Sequence, residues 1–218
     1  MKRWIYMTVA GALVGGAVYL YIEREGPGIG GLLHAASSGG DPGQGSGRPA
    51  RLHWKMEERP DEGFKVDLPA DPKDLQVPAY NEDGGSEQVK MIVANPDADT
   101  TFGVTWEDNP PVARVSHTPE RTLNMARDGM LARTQTSLVS ESRGAQRGNP
   151  TLDISARNGG GGVLNARFIF AGDRLYMLIA LFPSSSARRE QDVTRFFNSF
   201  APLRGPAIPE SMPIASQN

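Results

Sequence analysis

Three histidines, His34, His53 and His117, carry the first candidate chemistry. They are scattered, and none pairs with a serine or carboxylate at a spacing that suggests a catalytic triad. A triad is a spatial arrangement, so a site assembled from distant residues, such as His117 with Asp153, stays open as a hydrolase reading. His117-x-x-Glu120 straddles an expected helix start instead of lying on one helix face, a poor geometry for zinc. Asn95-x-Asp97-x-Asp99 opens like a calcium loop, but Thr100 stands where that loop needs glycine and Trp106 where it needs glutamate. A polar turn between two strands is the expectation there. Asn158 and the four glycines 159–162 precede a strand, so they lack the helix N-terminus that a phosphate cradle uses, and a hairpin loop is expected. Arg127 and Arg133 on one expected helix, and Arg188, Arg189 and Arg195 on another, read as wet faces that a peptide or anionic ligand could use. The chain has no cysteine, which excludes disulfides, thiolate zinc sites and thiol catalysis. The sequence therefore assigns no catalytic, cofactor-binding or metal-ligating residue, and no cofactor is expected.

The elements that would position such residues follow from composition. Of 218 residues, 23 are Lys or Arg and 25 are Asp or Glu, a net charge of −2. That balance argues against a nucleic-acid partner, which calls for a basic excess. Apolar residues make up 39%, enough for one ordinary core and too few for a multi-span membrane protein. With 25 glycines and 17 prolines, long non-globular pieces are expected beside a folded one.

The composition divides the chain into four parts. Residues 1–25 read as an N-terminal membrane anchor or signal. Lys2-Arg3 precedes an uncharged run from Trp4 to Ile22, and Glu23-Arg24-Glu25 ends it. As a helix this run spans roughly 28 Å, about the thickness of a hydrocarbon core. Trp4, Tyr6, Tyr19 and Tyr21 suit the two interfaces, and the positive flank places the rest of the chain on the extracytoplasmic side. A cleaved signal peptide is the alternative, with Gly15-Gly16-Ala17 as the small-residue site, although it leaves a short apolar core. Gly11-x-x-x-Gly15 inside the run permits close helix approach in a bilayer, so a homodimer through the anchor is an expectation. Residues 26–50 form a Gly/Pro-rich linker that cannot bury enough apolar surface to fold. Residues 204–218, with Pro206, Pro209 and Pro213, read as an extended, mobile tail.

Residues 51–203 are the size of one domain. Alternation with period two marks strands at Leu52/Trp54/Met56, Phe64/Val66/Leu68, Val89/Met91/Val93, Phe102/Val104/Trp106, Leu152/Ile154 and Leu164/Ala166/Phe168/Phe170. Leu175 to Phe182 is apolar on both faces and reads as the central, doubly covered strand. Gly172-Asp173 suits a two-residue hairpin between the last two strands. Thr118, Pro119 and Glu120 open one helix, with Leu123, Ala126 and Met130 on its apolar face. A second helix, with Ser186 as its expected cap, carries the stripe Val193, Phe196, Phe197 and Phe200. Strands in hairpin order with a few helices imply α+β, an antiparallel sheet flanked by helices and preceded by a single transmembrane helix.

Gly63-Phe64-Lys65-Val66-Asp67-Leu68-Pro69, then Phe168 to Tyr176 around Gly172-Asp173, then Phe196-Phe197-Asn198-Ser199-Phe200 resemble bacterial exported PsbP-like domains. That fold is shared with the photosystem II PsbP subunit and a Ran-binding nuclear import factor. The resemblance covers 51–203 and implies an α/β/α sandwich around an antiparallel sheet. It also implies an accessory, binding or chaperone-like role, and it carries over no site residue. The leading expectation is a membrane-tethered, extracytoplasmic, non-catalytic binding or accessory domain of a bacterial envelope. It would be anchored through residues 4–22, periplasmic or at the cell surface, with an envelope protein or a small ligand as partner. The hydrolase with a site drawn from distant residues, and a structural component of an envelope complex, are the competing readings.

Overall fold

The computed structural model describes residues 52–80, 86–108 and 118–203. The expected anchor with Gly11 and Gly15, the linker, the tail, His34 and His117 lie outside these residues. In chain order the elements are β1 (Trp54–Arg59), β2 (Phe64–Pro69), β3 (Lys73–Tyr80), β4 (Ser86–Ala94), β5 (Thr101–Asp108) and α1 (Pro119–Thr134). They continue with β6 (Ser137–Gln146), β7 (Asn149–Arg157), β8 (Val163–Ala171), β9 (Arg174–Phe182), α2 (Glu190–Ser199) and β10 (Ala201–Pro202). Seven strands form one antiparallel sheet in the order β3-β4-β5-β9-β8-β7-β6, and β1-β2-β10 form a second, small one. The large sheet is two meanders zipped together by the β5–β9 ladder, from Thr101↔Leu181 to Asp108↔Arg174. Among the described residues the architecture is α+β, with antiparallel sheets and two helices.

β9 occupies the middle of the large sheet, as its two apolar faces require. Leu175, Met177 and Ile179 point into one cluster with Leu123, Ala126 and Met130 of α1. Tyr176, Leu178, Ala180 and Phe182 point the other way, into a cluster with Phe64, Val66 and Leu68 of β2 and Val193, Phe196 and Phe197 of α2. A helix thus lies on each face of the sheet, and the small sheet shares the α2 face. Rings tie that side together. Phe64 stacks on Phe200 at 5.6 Å, and Phe102 meets Phe196 edge-on at 5.3 Å. Such pairs add to the area term by roughly 0.5–1.5 kcal/mol each.

The α1 start is as expected: Thr118 Oγ1 accepts the Arg121 N–H at 3.3 Å, and Pro119 needs no partner at the first position. The β8–β9 turn also matches, with φ of 65° at Gly172. Three expectations change. Ser186 does not cap α2: the helix begins at Glu190, Arg189 holds the cap position without a side-chain bond, and the Ser186 hydroxyl is engaged by Ser184 at 2.9 Å in the preceding turn. Met56 is 61% exposed, because the inward phase of β1 slips from Trp54 to Glu57 along this sheet edge. β3 and β6 were not expected at all, and both are edge strands of the large sheet. Among the described residues no helix is long and apolar enough to cross a membrane.

Candidate functional site

The side of the sheet that carries α2 has two halves. Over β4, β5 and β9 it is apolar and covered by β2 and α2. Over β8, β7 and β6 the same phase turns polar: Asn165 and Arg167 interrupt the series Val163–Ile169–Ala171 on β8, and Asp153 follows on β7 opposite Ser142 on β6. α2 runs along the boundary and walls this polar shelf. The result is a trough of two adjoining cavities of about 440 and 420 Å³, which share Ser142, Asp153, Arg167 and Asn198. Volumes of this order suit small ligands, whose sites run from about 300 to 1,000 Å³.

Arg167 organises the floor. Its Nε and Nη2 donate to Asp153 Oδ1 and Oδ2 at 2.7 and 2.6 Å, and its Nη1 donates to Gln146 Oε1 at 2.9 Å and Asn198 Oδ1 at 3.2 Å. The guanidinium also lies 5.1 Å from the centre of the Phe197 ring, a favourable cation–π arrangement. Gln146 in turn donates to the carbonyls of Phe197 and Phe200 at 3.0 and 2.7 Å, meeting acceptors that the end of α2 leaves open. A single chain of hydrogen bonds therefore fixes β6, β7 and β8 against α2. Beyond Gln146, Arg147 (φ 53°) and Gly148 (φ 82°) form the two-residue turn into β7, with both φ positive as a type I′ hairpin requires. That turn sets Arg147 at one end of the trough.

Two donors belonging to residues around the second cavity are buried and unmatched. Asn165 is 2% exposed, and its Nδ2 finds no acceptor among the described residues; the buried Nε of Arg188 finds none either. Arg188 is otherwise held by Glu190 at 2.7 Å. The hydroxyls of Ser140, Ser142, Ser155 and Thr194 complete that lining.

The residues singled out from sequence are largely elsewhere. His53 is exposed just before β1, where its carbonyl accepts the Ala70 N–H at 3.0 Å. Asp97 makes a local turn by accepting the Asp99 N–H at 3.0 Å, and its other oxygen meets Arg189 at 3.2 Å. No group of three or more His, Cys, Asp or Glu converges on a metal position among the described residues. Asn158 folds the glycine run into a hairpin turn by accepting the N–H groups of Gly160 and Gly162. Arg127 pairs with Asp128 and Glu141, Arg195 with Asp67, and Arg133 is half-buried near the end of α1. Burial works to lower the Arg127 pKa, but hydrogen bonds to Asp128 and Glu141 raise it overall. Among the described residues, Asp153 and Arg188 are the chemical candidates that reach the trough, beside Val193, Phe197 and Asn198 of the α2 run. The missed signal was the pair Asn165 and Arg167, polar residues in a strand phase that is otherwise apolar.

Comparison with known proteins places this geometry beside two solved structures. One is cyanobacterial PsbP from Synechocystis, with 14% identity, coverage of 74% of this chain and 99% of that one, and a TM-score of 0.45. The second is a Pseudomonas aeruginosa protein of unknown function, described as a candidate regulator, with 12% identity, 69% and 97% coverage and a TM-score of 0.40. No family model and no curated protein matches the chain. No site residue is carried from either.

Proposed function

We propose that this chain is a non-catalytic binding or accessory domain, held at the extracytoplasmic face of a membrane by residues 4–22, with the α2-walled trough as its binding element. The observation that supports binding is the Arg167 network: a floor with Asp153, Gln146 and Asn198 locked in place beside the two adjoining cavities. Preorganised polar groups of this kind give specificity without losing freedom when a ligand arrives. Asp153 already takes both arms of Arg167, which leaves it poorly placed to orient a catalytic base as a hydrolase would need. The uncharged run and its basic flank support tethering.

A photo-crosslinker in place of Ser142, in the full chain in intact cells, tests the site. It should yield a discrete adduct by mass spectrometry, while the same group at Asp173, on the β8–β9 turn, should not. Equal labelling at both positions would remove the trough from the reading. For the tether, a reporter after Asn218 should be active only if it tolerates the extracytoplasmic space, and the protein should stay with membranes through carbonate washing. A mature form beginning between residues 17 and 37 would replace the anchor by a signal peptide.

A further inference from the structure

We infer that the outer edge of β6 pairs antiparallel with β6 of a second copy of this chain, about a twofold axis at Ser142. The surface is separate from the trough and from the proposed anchor contact. β6 runs for ten residues at the rim of the large sheet and is exposed along all of it except Gln146. Among the described residues no strand lies beyond it, so its outer N–H and C=O groups form a template for another chain. β3, the opposite rim, contains Pro78, a residue that discourages further pairing at an edge. β6 has no proline, and it leaves Val139 56% exposed.

Charge selects both the partner and the register. A twofold axis normal to the sheet keeps each side chain on its own face, so every register centres on one residue opposite its own copy. Centred on Glu141 or on Arg143, the ladder would set like charges face to face, which is unfavourable. Centred on Ser142, it sets Glu141 opposite the partner's Arg143 and Arg143 opposite the partner's Glu141. Ser140 then meets the partner's Gly144, and Val139 lies beside the partner's Ala145. An unrelated strand lacking this charge pattern is turned away by the same two residues.

Both charged groups keep capacity for the contact. Arg127 holds Glu141 Oε2, while Oε1 is approached only by Arg143 of its own chain, at 3.6 Å. Arg143 Nη2 donates to Asn124 Oδ1 at 2.6 Å, and its Nε and Nη1 have no partner among the described residues. The helices leave room as well. α1 packs on β7 and β8, so the two copies of α1 would stand four strand spacings apart, about 19 Å. Packed helices lie roughly 8–10 Å apart, so the two do not collide. A single ladder is a small contact, so the pairing is weak and reversible in solution.

The test exploits a chain without cysteine. Opposed residues of an antiparallel pair have Cα atoms about 4.5–5.5 Å apart, within the span of a disulfide. Ser142→Cys in the full chain, purified in detergent and oxidised, should give a disulfide-linked dimer, whereas Gln76→Cys on the β3 rim should not. Adding Glu141→Arg or Arg143→Glu to Ser142→Cys should cut the yield about fivefold or more, because each sets like charges opposite one another. Mixing those two variants should restore it as a mixed dimer, since one strand is then basic at both positions and the other acidic. Gly11→Ile with Gly15→Ile should leave that pattern intact. No dimer through Ser142→Cys, equal yields from Gln76→Cys, or yields indifferent to the charge changes would overturn the ladder. With a photo-crosslinker at Ser142, an adduct of two chains reports this ladder and a ligand adduct reports the trough, so either reading can fail alone.

Discussion

Arg167 on β8 and Asp153 on β7 face each other across the ladder and meet as a planar fork, Nε to Oδ1 at 2.7 Å and Nη2 to Oδ2 at 2.6 Å. The same guanidinium covers Phe197, so one side chain joins sheet, helix and trough. Arg167→Gln should cost about 1–3 kcal/mol, the range for losing hydrogen bonds to a charged group in a partly buried site. Arg167→Lys should recover little of it, because an ammonium cannot reproduce the fork. Urea unfolding of the three proteins measures both; full recovery by lysine would show that charge alone matters here.

Asn165→Leu should stabilise the ligand-free protein by about 1–2 kcal/mol. The two side chains have nearly the same branching, and the replacement removes an amide whose Nδ2 is buried without an acceptor among the described residues. An unchanged or lowered Tm would mean that the amide is already satisfied in solution.

Phe197→Ala should cost about 3–5 kcal/mol, since the ring is 5% exposed and anchors α2 on the sheet. The change also strips the apolar surface from beneath Arg167, so the trough should lose order together with stability. Amide exchange along β6 should rise more than along β4.

Arg174 joins β9 to Asp108 of β5 and to the Glu62 carbonyl. Asp108 raises its pKa above the ordinary guanidinium value, against the opposing effect of burial. A cation raised in the folded state contributes its full stability below the unfolded pKa and loses it only as pH climbs through the folded one. The guanidinium already ionises far above the neutral range when unfolded and higher still when folded, so the Arg174 contribution is constant across neutral and mildly alkaline pH. The gap in unfolding free energy between wild type and Arg174→Met should therefore be equal at about pH 7 and pH 10. A gap that narrows by the higher pH would contradict the assignment.

The proposed anchor should self-associate through Gly11 and Gly15. In lipid the attraction between two apolar helices comes from close packing, which glycines four apart allow. Gly11→Ile with Gly15→Ile should abolish a two-hybrid signal from segment 1–25; wild-type signal no stronger than the double variant's would leave a monomeric tether.

What was legible in the sequence was whatever burial made periodic. β2, β9 and α2 bury one or both faces, so their apolar residues recur at two or at three and four, and the structure places them as read. β6 escaped because it is an exposed edge, Ser-Leu-Val-Ser-Glu-Ser-Arg-Gly-Ala-Gln, with an irregular register between Leu138 and Ser140 and charges that guard the edge. The trough was hidden for a related reason. Ser142, Asp153, Arg167 and Asn198 belong to four elements, and each alone looks like an ordinary wet position. Only the antiparallel registers bring them together.

The small sheet has a mechanical consequence. β1 and β10 both run antiparallel to β2, which lies between them, so they run parallel to each other. Tension applied at residues 52 and 203 would drag β1 backward and β10 forward along that shared strand. The ladder bonds lie across the strands and would bear the load together, in shear, instead of opening one at a time like a zipper. Force would then break the two-residue β10 ladder before the six-residue β1 ladder, since far fewer bonds share the load there. Single-molecule pulling between those points should first release the C-terminal side, with the seven-stranded sheet and its trough still folded.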